Sequence, residues 1–237
     1  SRPRLYLGLL HLKRFGHWSR NWIVTPATEI TIEGYPRCGN SFARSAFMQA
    51  QKRDYVIATH VHSYAQVVRS VELGIPTMVP VREPREACLS LVALTYEIEN
   101  AELSEANLRR AKRSLLRNFL NYQKFYRQVA RLKDDVIIAD FPVITSDYAT
   151  VIHRVNRRFG TDFELYRNCP ENDKEVFDNS DFHLSPNPQR NTIKARLSAC
   201  MEEAEVRVLA DEADGIYAHI RSIEREQAER YGNAPAA

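Results

Sequence analysis

Apolar positions along this chain follow two rhythms. Short runs, each too short for a helix, occupy residues 28–33, rich in Thr and Ile, and residues 55–58, 77–81 and 135–140, rich in Ile, Val or Ala. Runs of that kind predict strands covered on both faces. Between them, apolar residues recur every three or four positions. Residues 42–51 have helical composition, and Val67, Val68 and Val71 share a face before Gly74 and Pro76 stop the pattern. Ala87, Leu91, Leu94 and Ile98 mark a helix over 85–98. Leu108, Leu115, Phe119, Tyr122 and Tyr126 mark residues 105–132, as one long helix or two joined ones. A further helix is expected over 146–159 with Gly160 as its C-cap, and two more over 192–210 and 215–230. Strands that alternate with helices predict an α/β fold, a central parallel β-sheet flanked by helices.

No fixed-period repeat or linker divides the chain, so residues 1–237 read as a single domain. Residues 1–27 form an amino-terminal extension whose Tyr6, Phe15, His17, Trp18 and Trp22 fit either an apolar or sugar site or surface packing. Residues 170–190 have weak periodicity and hold Pro170, Pro186 and Pro188, which predicts a loop or lid.

Charge changes the picture little: 33 basic against 30 acidic side chains give a net +3, too weak to point to nucleic acid. No apolar run has the length of a membrane span. Cys38, Cys88, Cys169 and Cys200 lack Cys-x-x-Cys spacing and a nearby histidine partner, so they read as free thiols and not as a metal site. With no leader pattern at residues 5–10, a cytoplasmic location is expected.

Chemistry concentrates after the first run. Gly34-x-x-x-x-Gly39-Asn40-Ser41 has the spacing of a nucleotide phosphate loop, with Asn40 where the lysine belongs and Arg37 supplying the cation from inside the loop. A strand-to-helix loop of this kind offers backbone N–H groups to an anion; a plain turn with a solvated Arg37 is the other reading. After the third run, Arg82 presents a planar donor fork, and Ser90 stands where a helix starting near Pro84 returns its hydroxyl toward the same anion. Alternatively, Arg82 pairs with Glu83 or Glu86 at the surface.

Together these stretches resemble the sulfotransferases that use 3′-phosphoadenosine 5′-phosphosulfate (PAPS). Tyr35-Pro36-Arg37-Cys38-Gly39-Asn40-Ser41-Phe42 is similar to that family's Y-P-K-S-G-T-T-W motif, and Val81-Arg82-Glu83-Pro84 with Ser90 to its R-x-P and serine. The likeness covers about residues 30–160 and implies the P-loop-containing nucleotide-binding fold of the sulfotransferase type. It also implies PAPS as donor, adenosine 3′,5′-bisphosphate (PAP) as product and no metal. By this resemblance Arg37 stabilises the leaving phosphate, Cys38, Gly39, Asn40, Ser41 and Phe42 bind the 5′-phosphosulfate, and Arg82 and Ser90 hold the 3′-phosphate. A late basic segment with Arg190, Asn191 and Lys194 covers the same phosphate. Thr59-His60 falls where the family places its base, and an ordinary imidazole accepts a proton near neutral pH. His62 is its competitor, for substrate contact or for the base role. The expected acceptor is a hydroxyl, less often an amine, on a small molecule, carbohydrate or lipid. The basic residues between Arg109 and Arg131 either favour an acidic acceptor or are the solvated face of a helix. A phosphate-loop kinase or hydrolase is disfavoured by Asn40 and kept open by Asp140. A non-catalytic nucleotide-binding protein is the remaining alternative.

Overall fold

In the computed structural model, which describes residues 3–13, 22–102, 104–178 and 188–234, the four apolar runs are β1 (Ile30–Ile32), β2 (Ile57–Thr59), β3 (Thr77–Val81) and β4 (Ile137–Asp140). They form one parallel sheet in the order β2-β1-β3-β4, with Ile32 beside Thr59 and Met78, and Val81 beside Asp140. Every strand residue is buried.

Helices cover both faces. On one lie α2 (Asn40–Ala50) and α7 (Tyr148–Phe159), packed with Ile30, Ile32, Met78, Ile137 and Ala139. On the other, α4 (Pro84–Ile98), α5 (Glu105–Ala130) and α10 (Ala204–Tyr231) enclose Val79, Val81 and Ile138. Alternate strand positions therefore serve different cores, which is why most of the strands read as near-continuous apolar runs, whereas β1 carries Thr31 between its two isoleucines. The buried threonines of β1 and β3 are matched on α3 (Tyr64–Glu72), whose Ser70 Oγ lies 2.7 Å from both Thr31 Oγ1 and Thr77 Oγ1.

Strand order decides where a site can form. From β1 the chain passes through α2 to β2 on one side, then crosses back through α3 to β3 on the other. The carboxyl ends of β1 and β3 thus flank a topological switch point, the crevice in which open α/β sheets bind ligands.

Several elements differ from their sequence expectation. The helix expected over 146–159 is α7, which starts at Tyr148 because Asp147 leaves helical geometry and its side chain caps the Thr150 amide, and a short helix that was not expected, α6 (Phe141–Ser146), precedes it. Residues 105–130 form one continuous helix. The carboxyl-terminal break falls at a 3₁₀ turn, Ser198–Glu202, and α10 runs through Gly215. Burial of Val206, Ala210, Ala213, Ile220 and Ile223 against the core outweighs the ~1 kcal/mol propensity penalty of one helical glycine. The expected 170–190 loop is helical at both ends, as α8 (Pro170–Asp178) and in the first residues of α9 (Pro188–Leu197), while 179–187 lie outside the described residues. The amino-terminal extension opens with α1 (Pro3–Lys13), whose Leu7 packs with Ile23, Val24, Ala65 and Ile75. Phe15, His17 and Trp18 lie outside the described residues. Among the described residues no helix is long and apolar enough to cross a membrane.

Candidate functional site

The loop after β1 is held by its own residues. A Cβ on Gly34 would lie 2.3 Å from the Pro80 carbonyl oxygen, so only glycine lets this loop pass so close to β3. Asn40 is buried, and its side chain closes the turn: Oδ1 accepts from Gly34 N at 2.6 Å and Nδ2 donates to Tyr35 O at 2.9 Å. Its amide group, expected to contact an anion, braces the loop instead. Cys38 also departs from expectation. It is fully buried in the core of Val79, Val81 and Tyr126, and burial pushes its thiol up to about 12, so it is a packed neutral side chain. Gly39 has φ +95°, and a Cβ there would press on the Phe141 ring at 3.1 Å. The first amides of α2, from Asn40, Ser41 and Phe42, have no carbonyl behind them within the helix. That end of the helix favours negative charge.

Arg37 has φ +66°, a left-handed conformation unusual outside glycine. Its Nε donates to Ser90 Oγ at 3.1 Å, and its carbonyl oxygen accepts from Arg82 Nη1 at 3.3 Å. The two motifs are therefore joined directly, and the Arg82 guanidinium lies over the Phe141 ring, 4.3 Å from its centroid. Burial, followed by the positive charges of Arg190 and Arg82, lowers Arg37 to about 10, so it stays cationic at neutral pH. Like charges gathered in a partly dry place are unfavourable, and a bound anion relieves that cost.

The second motif is more self-contained than expected. Glu83 caps α4, accepting from Arg85 N and Glu86 N at 3.0 and 2.7 Å. Arg82 Nη2 and Lys194 Nζ both meet Glu86 Oε2, at 3.4 and 2.7 Å. Ser90, expected beside Arg82 on a phosphate, is buried and holds Arg37. Arg190 is buried and bonded to Glu97 at 2.5 Å, and Asn191 is exposed on α9; neither lines the cleft.

Two further left-handed residues, His60 and His62, both at φ +53°, follow β2. His60 Nε2 is 2.9 Å from Ser41 Oγ, its Nδ1 is 2.8 Å from Thr59 Oγ1, and the Trp22 ring lies 4.9 Å away. Burial, then His62 and Arg44, lower it to about 3, so the ring is neutral at physiological pH. His62 Nδ1 is 3.0 Å from Gly34 O. A carbonyl can only accept, so Nδ1 carries the proton and Nε2 is the basic nitrogen.

Sequence reasoning missed Glu33, which directly follows β1 and is wholly buried. Its carboxyl accepts from Val61 N, His62 N and Gln66 Nε2, and thereby pins the unusual backbone of both histidines. Burial raises it to about 8. The signal was present: an acidic residue directly after an apolar strand. Non-glycine residues held in left-handed conformations cluster at functional sites, and here three of them converge.

These groups line one cleft of about 510 Å³. Its polar lining includes Arg37, Arg82, Ser41, His60 and His62, and its apolar lining includes Trp22, Phe42, Leu94, Phe141 and Phe177. Phe177 brings α8 to the rim, so part of the expected lid borders the cleft. Asp140 does not face the site as a cation holder would. It accepts from Tyr217 Oη at 2.9 Å and pairs with Arg221, both on α10. Among the described residues no group of three or more His, Cys, Asp or Glu side chains is arranged to hold a metal ion. Family models, curated proteins and solved structures offer no match to this chain.

Proposed function

We propose that this chain transfers a sulfuryl group from PAPS to an acceptor hydroxyl. The observation that carries this reading is the Arg82–Arg37 hydrogen bond across the β1/β3 switch point, which brings two cationic loops to one cleft beside the start of α2. A nucleotide with phosphates at two separated positions matches such a pair of cationic centres. The apolar lining of the cleft suits a nucleobase or an apolar portion of the acceptor. In the kinase reading an acidic side chain at the end of a strand holds Mg²⁺, and Asp140 is engaged by α10 instead.

In this reading Arg37 and the opening amides of α2 stabilise charge on the departing phosphate oxygen. Ser90 fixes the direction of the guanidinium. Arg82 grips the second phosphate, exchanging its contact with Glu86 for one with the ligand. His60 takes the acceptor proton as the oxygen–sulfur bond forms and the sulfur–phosphate oxygen bond breaks. Its low proton affinity in the free protein arises from burial and neighbouring positive charge, and an anion beside it shifts it back upward. The aromatic walls exclude water from the reacting centre.

Calorimetry with PAP, ATP and GTP in the absence of Mg²⁺ tests the assignment. Selective binding of PAP, weakened by Arg82→Ala, is expected; equal affinity for nucleotides without a 3′-phosphate would overturn it. His60→Ala should lower single-turnover transfer while sparing PAP binding, and undiminished turnover would move the base role to His62.

A further inference from the structure

A second cavity, of about 400 Å³, opens between α4 and α5, within the range that holds small polar ligands. Leu91 lines both this cavity and the cleft of Arg37 and His60, so the two are neighbours. The loop after β1 is tied to its wall, because Tyr35 Oη donates to the carbonyl oxygen of Asn118 at 3.0 Å. Arg110, Arg113, Ser114 and Arg117 enter from α5, at the spacing that places them on one helix face.

The charge pattern on α5 is uneven. Of the six basic side chains between Arg109 and Lys124, four are matched: Arg109 by Glu105, Arg110 by both oxygens of Glu99, Lys112 by Glu203 and Glu205, and Lys124 by the Tyr64 ring. Among the described residues, Arg113 and Arg117 have no carboxylate within 4.0 Å, and no acidic residue lines the cavity. Two guanidiniums one turn apart thus face a concave space with the Ser114 hydroxyl between them along the helix. Leu91, Val92 and Tyr96 form its less polar wall, which keeps the field of the two charges from being fully screened. Planar donor forks in this arrangement match the oxygens of a carboxylate, sulfate or phosphate.

We infer that this cavity is a subsite for an oxyanion carried by the acceptor, gripped by Arg113 and Arg117 while the reacting hydroxyl reaches past Leu91 toward His60. Assigning the oxyanion to the acceptor rests on the transferase reading; anion binding by the cavity does not.

The test titrates the full chain with sodium sulfate, sodium glucuronate and glucose at constant ionic strength, following the arginine side-chain Nε–H signals by NMR. PAP affinity is measured on the same samples. Saturable shifts at Arg113 and Arg117 are expected with sulfate, glucuronate or both, and none with glucose; whichever anion saturates identifies the geometry of the oxyanion. Arg113→Ala and Arg117→Ala, both exposed positions, should each weaken that binding about tenfold and leave PAP affinity unchanged. Absence of saturation with both anions, or equal shifts at Arg109 and Arg127, would overturn the subsite. Saturation at Arg113 and Arg117 without any PAP binding would leave the anion subsite standing and remove the transferase reading.

Discussion

Arg37, which lines the cleft, donates from Nε to Ser90 Oγ at 3.1 Å, so the loop after β1 is aimed by a buried hydroxyl on the helix after β3. An arginine has many rotamers, and a fixed partner removes most of that freedom before a ligand arrives. Ser90→Ala should therefore weaken PAP binding several-fold, on the order of 1 kcal/mol for one lost hydrogen bond to a charged group, with little change in folding. Calorimetry beside thermal denaturation checks this. Unchanged affinity would show that Arg37 does not depend on Ser90 for its position.

Asn40 stands at the position where a nucleotide phosphate loop has lysine, and the structure gives the difference a purpose. Asn40→Lys should not create an ATP site. It removes both hydrogen bonds that close the loop and inserts a long cation into a buried space, at a cost of about 2–4 kcal/mol in stability. Chemical denaturation measures the loss, and a stable variant with new ATP affinity would contradict it.

Gly34→Ala should be among the most damaging single-methyl changes in the chain. The added carbon meets the Pro80 carbonyl oxygen at 2.3 Å, and backbone rather than a flexible side chain must yield. A destabilisation of about 3 kcal/mol is expected, with the β1 and β3 loops displaced from one another. Denaturant midpoints and PAP affinity should fall together. A fall in stability alone would show that the close approach serves the fold and not the site.

His60 titrates unusually in the folded chain, about 3 against an ordinary value near 6.5. A depressed value means that folding favours the neutral ring. Its contribution to stability is complete above pH 6.5 and is lost as pH falls from there toward 3. The His60 ring signals in NMR should remain those of neutral imidazole at pH 5, and PAP should move the titration upward. A midpoint near 6.5 in the free protein would show that the ring is solvated and not held between Ser41 and Thr59.

The sheet was legible because each strand is buried on both faces, and short runs rich in Ile, Val, Thr and Ala announce that condition locally. The Gly160 cap was legible for the same local reason, as a glycine at φ +67° after a periodic stretch. The Asp147 break was harder to see, since a single capping side chain decided it. Continuity of α10 through Gly215 was harder still, because packing against distant elements overrides local propensity there.

The chain itself determined which residues are charged, where loops follow strands, and that Arg37 and Arg82 belong to two such loops. Tertiary structure decided the rest: that Cys38 faces the core, that Asn40 braces a turn, that Arg190 meets Glu97, and that Glu33 pins the histidine segment. The physical reason is one of range. Periodicity and turn chemistry act over a few residues, whereas burial, counter-charge and hydrogen-bond partners come from side chains brought close only when the sheet and its helices pack.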